Sequence, residues 1–142
     1  MNEHRYQVTW GDLDANNHLR NTAYLDYAAT TRFRYLAGAG FTPREFAKLR
    51  LGPVVFEDTV RYQRELRLLE EFSVTIELRG QNETGSRFIL LNRFFNAAGE
   101  LAAEVHSHGG WFSLDERKIV APPPGLLAAM NAMARSEDFQ AL

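Results

Sequence analysis

Asp12, Asp14, Asn16, Asn17, His18 and Asn21 crowd into the short segment between Trp10 and Tyr24, directly ahead of a strongly apolar stretch. These are the side chains of acid–base and nucleophilic chemistry. A carboxylate can activate water or attack a carbonyl, and an amide or imidazole can polarise that carbonyl or carry a proton. Asp14, Asn16 and His18 alternate, so in an extended segment they point to one side. Burying such a cluster without partners is costly. The segment therefore reads as a reaction centre rather than a piece of core.

The composition narrows the chemistry. The 142-residue chain suits a single domain, residues 1–142, with one core. Its 45% hydrophobic and 24% charged residues are ordinary for a soluble globular protein. A net charge of -2 with scattered basic residues offers no footprint for nucleic acid or an anionic membrane. The absence of cysteine removes thiolate nucleophiles, disulfides and thiol-ligated metals together. The opening Met-Asn-Glu-His-Arg carries no leader pattern. No apolar run approaches the roughly 20 residues of a membrane span, and the expected location is the cytoplasm.

The elements around the polar segment can be read from pattern. Tyr6 to Trp10 predicts a short strand, and Asn21 is the expected cap of a helix whose stripe is Leu25, Ala28, Ala29, Arg32 and Leu36. That helix is apolar around so much of its circumference that other structure should enclose it. Thr42-Pro43-Arg44-Glu45 is a capping box opening a brief helix to about Leu49. Val54–Arg67 predicts a long strand, Phe72, Val74, Ile76 and Leu78 alternate as a half-buried one, and Ser86–Phe95 reads as a third. The turn Asn96–Gly99 leads into a fourth, Glu100–Leu114. A short helix over about Leu126–Ala134 follows Pro122–Pro124, and the last residues are expected to fray. The order predicts an α+β domain, one curved antiparallel sheet around one central helix. Strands too long for one helix to cover predict pairing with a second copy.

Two motifs carry a family resemblance over nearly the whole length. Asp12-Leu13-Asp14-Ala15-Asn16-Asn17-His18-Leu19-Arg20-Asn21-Thr22-Ala23-Tyr24 resembles the Asp-x-Asp-x-Asn-x-His-x-x-Asn-x-x-Tyr signature of hotdog-fold acyl-carrier-protein thioesterases and their acyl-CoA relatives. Tyr62-Gln63-Arg64-Glu65 resembles the Tyr-x-Arg-Glu segment on the strand after the central helix. A sister branch, the 4-hydroxybenzoyl-CoA thioesterases, has Pro-Ala-Gly where this chain has Ala15-Asn16-Asn17. That branch often holds a basic cluster for CoA phosphates. Here the matching stretch is Glu83-Thr84-Gly85-Ser86-Arg87, with one cation.

The resemblance implies hydrolysis of an acyl-CoA or acyl-carrier-protein thioester, without cofactor or metal, by a homodimer or homotetramer. It implies Asp14, Asn16, His18 and Glu65 as the catalytic set, with Asp14 as base or nucleophile. Tyr24, Gly85, Ser86 and Arg87 are the implied substrate contacts. Plainer readings compete at each position. Asp14 and Asn16 suit a turn for backbone reasons, His18 suits a helix entrance, Glu65 an exposed strand, and Tyr24 a core position whose hydroxyl braces the loop. His106 and His108 lack a third ligand at suitable spacing and read as surface strand residues. The rival functions are an acyl-binding module without turnover and a hydratase or dehydratase of the same fold.

Overall fold

The computed structural model describes residues 3–142. Its centre is α1 (Asn21–Gly38), whose Ala23, Tyr24, Ala28, Thr31 and Leu36 are buried against the sheet. At 18 residues it is about 27 Å long. Thr42 caps α2 (Pro43–Leu49) as the capping box predicts, its hydroxyl accepting from the Glu45 N–H at 3.3 Å.

The sheet is built on its longest strand, β6 (Leu101–Ser113), which pairs antiparallel with β2 (Leu51–Tyr62) on one side and β5 (Arg87–Phe95) on the other. Beyond β5 lie β3 (Glu71–Thr75) and β4 (Glu77–Gln81), arranged end to end along the same neighbour. β1 (Glu3–Gln7) flanks β3, and β7 (Lys118–Ile119) pairs with the last residues of β6. After α3 (Pro124–Asn131), β8 (Arg135–Ala141) adds to β4 in parallel, the sheet's one parallel pairing. Alternation turns Ala103, Val105, Ser107, Gly109 and Trp111 of β6 toward α1, as the period of a half-buried strand requires. One core cluster gathers Tyr24, Phe72 and Phe94 beneath the first half of α1. A second gathers Leu36, Phe46, Trp111 and Met130 beneath its end.

Among the described residues β2 pairs only with β6, which leaves its outer edge open, and Val55, Phe56 and Tyr62 on it are about half exposed. A bulge at Phe56 interrupts its register.

Several expected boundaries move. Trp10 is not in a strand but in a 3-10 turn, Trp10–Asp12, and is 79% exposed; β1 ends at Gln7 instead. The strand predicted over Val54–Arg67 starts earlier and stops at Tyr62, because Leu66 turns inward and is fully buried. The run from Phe72 to Leu78 breaks between β3 and β4. The terminus does not fray, since β8 has an edge to pair with and Ser136 is buried.

Candidate active site

The polar segment folds as a miniature hairpin. Leu13 bridges Leu19, the Asp14 N–H donates to the His18 carbonyl at 2.9 Å, and the Asn17 N–H donates to the Asp14 carbonyl at 3.1 Å. Asn17 takes the left-handed φ of 60° at the tip, which asparagine tolerates better than most residues. Asp14 Oδ1 accepts from the N–H groups of Asn16 (2.8 Å) and His18 (3.1 Å). One carboxylate oxygen thus holds the loop. Among the described residues Oδ2 has no hydrogen-bond partner, and the side chain is exposed.

Asp12 has a different task. Its Oδ2 accepts from Tyr27 Oη at 2.5 Å and Thr9 Oγ1 at 2.8 Å, while Arg20 Nη1 stands 3.6 Å from Oδ1. Burial alone would raise the Asp12 pKa, but those hydroxyls and the guanidinium prevail and hold it below the usual carboxylate range. The same bond and burial push Tyr27 up to about 12. Arg20 adds a bond from Nη1 to the Gly11 carbonyl at 2.6 Å, and its N–H donates to the Asp12 carbonyl at 2.8 Å. Asp12, Tyr27 and Arg20 therefore fasten the loop to α1.

Tied down this way, Arg20 and not Asn21 is the N-cap of α1, and no side chain caps the helix. Asn21 instead begins the helix, and its carbonyl accepts from Tyr62 Oη at 3.1 Å. The first amide groups of α1 lack a side-chain partner and carry the positive end of the helix dipole.

The segment after β2 reaches the loop through Leu19, whose N–H donates to the Leu66 carbonyl at 2.7 Å, and through a bridge between His18 and Arg67. Asp14, His18, Asn21, Tyr24, Tyr62 and Glu65 consequently line one cleft. Glu65 lies on an irregular segment and not on a strand. Arg67 Nη2 donates to its Oε1 at 3.2 Å, and that bond, aided by nearby His18, holds the exposed carboxyl below its ordinary pKa. Tyr24 is buried, packs edge-on to Tyr62 at 5.3 Å, and is pushed up to about 12 by burial and by the surrounding negative groups, Asp14 and Glu65 among them. Asn16 is exposed at the loop tip, and its side chain does not line the cleft.

Gly85, Ser86 and Arg87 stand elsewhere. Arg87 pairs with Gly110 near one end of β6, whereas Tyr62, at the cleft, pairs with Ala103 near the other. Seven residues of strand, about 23 Å, separate the two in one chain. Gly85 has φ 78°, Ser86 Oγ accepts from Asn82 Nδ2 at 2.8 Å, and the Arg87 guanidinium lies 5.0 Å over the Phe56 ring. His106 is half-buried, its Nε2 3.3 Å from Glu104 Oε2, and burial draws its pKa down. Among the described residues no group of three side chains is placed to hold a metal.

Two roles were not given by the motifs. Tyr62, which opens the second motif, bridges β2 to α1, and Arg32, on the apolar stripe of α1, is directed into the interior. Arg32 Nε donates to Asn92 Oδ1 at 3.1 Å and Nη2 donates to Ser107 Oγ, which in turn donates to Asp58 Oδ1 at 2.5 Å. Burial lowers the Arg32 pKa, with Asp58 acting against the shift. The signal in the sequence was a lone arginine within a helical stripe otherwise made of leucine and alanine.

A curved, almost wholly antiparallel sheet around one long helix, with a polar cleft where that helix begins, is the hotdog fold. A family model described as the thioesterase-like superfamily matches residues 8–130, and the chain belongs to that family. Solved structures agree on the fold. The hypothetical protein SAV2348 from Staphylococcus aureus, solved in complex with CoA, superposes with a TM-score of 0.85 at 22% identity, over 92% of this chain and 81% of its own. Slr0204, a 1,4-dihydroxy-2-naphthoyl-CoA thioesterase from Synechocystis, gives 0.82 at 14%, over 92% and 95%. BH1999, a gentisyl-coenzyme A thioesterase, gives 0.79 at 20%, over 90% and 98%. No curated protein matches the chain. No described helix is long and apolar enough to cross a membrane.

Proposed function

We propose that the protein hydrolyses acyl-CoA thioesters, with the Asp14 carboxylate attacking the carbonyl carbon or activating the water that does so. The observation that carries this reading is the divided role of Asp14. Oδ1 is fixed by two backbone N–H groups, and Oδ2 is left unpartnered in a cleft at the open start of α1. A thioester carbonyl set against that helix start meets N–H donors and a favourable dipole as its oxygen gains charge. His18 and Glu65 border the same cleft and are the proposed partners for the proton that must reach the departing thiolate. Asn16 must swing in from the loop tip to take part. CoA as carrier rests on family membership and on the coenzyme A named for the similar structures; acyl carrier protein is the other carrier to assay.

The working unit in this proposal is a dimer. A two-fold axis across the open edge of β2 would set the Tyr62 end of one strand against the Leu51 end of its mate. It would carry Gly85, Ser86 and Arg87 of a second copy toward the Asp14 cleft, which explains why one chain holds the two sets so far apart. The decisive test is thiol release from a panel of acyl-CoAs and acyl carrier proteins by wild type and Asp14→Asn. The expected result is turnover by wild type and a loss of at least about 100-fold in the variant with its melting temperature unchanged. Full activity in Asp14→Asn refutes the assignment. Acyl-CoA binding without turnover in wild type would instead establish a binding module.

A further inference from the structure

Away from the Asp14 cleft, the second half of α1 covers a mostly apolar cavity of about 140 Å³. Phe33, Val55, Phe88, Trp111 and Met130 are among its walls, and Arg32 is the one charged side chain lining it. That cation is unusually placed. Its hydrogen-bond acceptors are the neutral Asn92 and Ser107, no carboxylate comes within ion-pair distance among the described residues, and Asp58 is reached only through the Ser107 hydroxyl. The third nitrogen, Nη1, has no hydrogen bond among the described residues. Arg32 is half-buried, and a cation drawn that far from water is ordinarily paired, because desolvation is costly and a neutral acceptor offsets little of it. An unspent guanidinium donor on a residue that lines an apolar cavity suits a ligand that brings oxygen.

The cavity and the Asp14 cleft lie along one side of α1. Asn21, Leu25, Ala29, Arg32 and Leu36 follow one face of α1, from the cleft at Asn21 to the cavity at Ala29–Leu36. Opposite runs the inner side of β2, from Tyr62 through Val60 and Asp58 to Val55 and Pro53, as the pairing with β6 shows. From Tyr24 to Arg32 is eight residues of helix, about 12 Å, which an extended chain spans in roughly ten bonds.

Building on the thioesterase reading above, we propose that this cavity is the acyl chamber and that Arg32 makes it select acyl groups carrying a carboxylate at their far end. The methylenes of such a group lie along the apolar walls, and its terminal oxygens accept from Arg32 Nη1. An unsubstituted alkyl chain of the same length fills the same space and leaves that donor unpaired.

The test compares the CoA thioesters of decanoic acid and of decanedioic acid (one end esterified), in wild type, Arg32→Met and Arg32→Lys. The non-hydrolysable thioethers S-decyl-CoA and S-(ω-carboxynonyl)-CoA are titrated alongside by calorimetry. A charge-assisted contact predicts that wild type prefers the carboxylated member of each pair by roughly tenfold or more. Arg32→Met should abolish the preference while keeping or improving action on the plain chain, and Arg32→Lys should restore part of it. A wild-type ratio of one or less overturns the proposal. So does a parallel loss of both ligands in Arg32→Met, which would mark Arg32 as a structural tie to Asn92 and Ser107. If no thioester is hydrolysed, the reading of the protein as an enzyme fails, and the thioether titrations decide this inference by themselves on the same ratio.

Discussion

Tyr27→Phe isolates the device that fastens the reactive loop to α1. The variant deletes one oxygen and with it the 2.5 Å hydrogen bond to Asp12 Oδ2, leaving the ring packed edge-on to Tyr6 and Phe72. Hydrogen bonds to charged groups contribute about 1.5–3 kcal/mol. The Asp12 side chain is still 19% exposed and keeps Thr9 and the nearby Arg20, so water can take up part of the loss. The expected cost lies at the lower end, about 1.5–2 kcal/mol, or roughly 5–7 °C in melting temperature for a chain of this size. The pH dependence follows from the depressed pKa of Asp12. Above the ordinary carboxylate value of 3.8, Asp12 is ionised both folded and unfolded, and the full contribution is present. As pH falls through the lower folded value, protonation abolishes it. Urea denaturation of both proteins between pH 7 and pH 3 should therefore give a stability gap that is constant near neutrality and shrinks in acid. A gap below about 0.5 kcal/mol at pH 7, or one that does not narrow with acid, would refute the reasoning that Asp12 is a structural anchor and not a reagent.

The remaining predictions address other parts of the molecule. Arg67→Gln removes the hydrogen bond that holds the Glu65 pKa down, so if Glu65 assists turnover, the acid limb of the pH–rate profile should move upward; an unmoved limb excludes Glu65. Gly85→Ala places a methyl at φ 78° and 2.5 Å from Leu127 Cδ1, and should cost about 1–3 kcal/mol by thermal denaturation. A wild-type melting temperature there would show that the turn relaxes freely. Thr59→Lys, on the open edge of β2 and off the cavity wall, should shift the oligomer toward monomer in sedimentation and lower activity together with it. A monomeric wild type would sink the shared-site arrangement.

How far the sequence could be read depended on whether each element is specified locally. α2 is written in its capping box, and α1 in its long helical stripe, broken by Arg32 alone, so both appear where pattern places them. β8 is specified by tertiary contacts. Arg-Ser-Glu-Asp-Phe-Gln-Ala has little strand character of its own, and it becomes a strand because β4 leaves an edge beside it and the Arg135 guanidinium lies 4.1 Å over the Phe139 ring. Trp10 misled for the opposite reason. Its aromatic ring suits a strand, but the backbone must turn there so that Asp12 can meet Thr9 and Tyr27. Asn21 looked like a cap because nothing local reveals that Arg20 is already held by Gly11 and Asp12.

From its residues alone the motif reads as a cluster; the resemblance singles out Asp14 and assigns Asp12 no task. Asp12 and Asp14 are two residues apart and chemically identical, and the folded environment gives each its own surroundings. Asp12 spends both oxygens on Tyr27, Thr9 and Arg20, so protonating it or aiming it at a substrate would release the loop from the helix. Asp14 spends one oxygen on the backbone and keeps the other free at the start of α1. A carboxylate whose orientation is fixed through one oxygen while the second stays unpaired is preorganised for attack at low reorganisation cost. The same contrast holds along α1. Thr31 is buried and satisfied by Tyr6 and the Tyr27 carbonyl, whereas neighbouring Arg32 enters the interior with part of its guanidinium unspent. In both pairs one residue has its hydrogen-bonding capacity filled within the chain, and the other keeps part of it unspent.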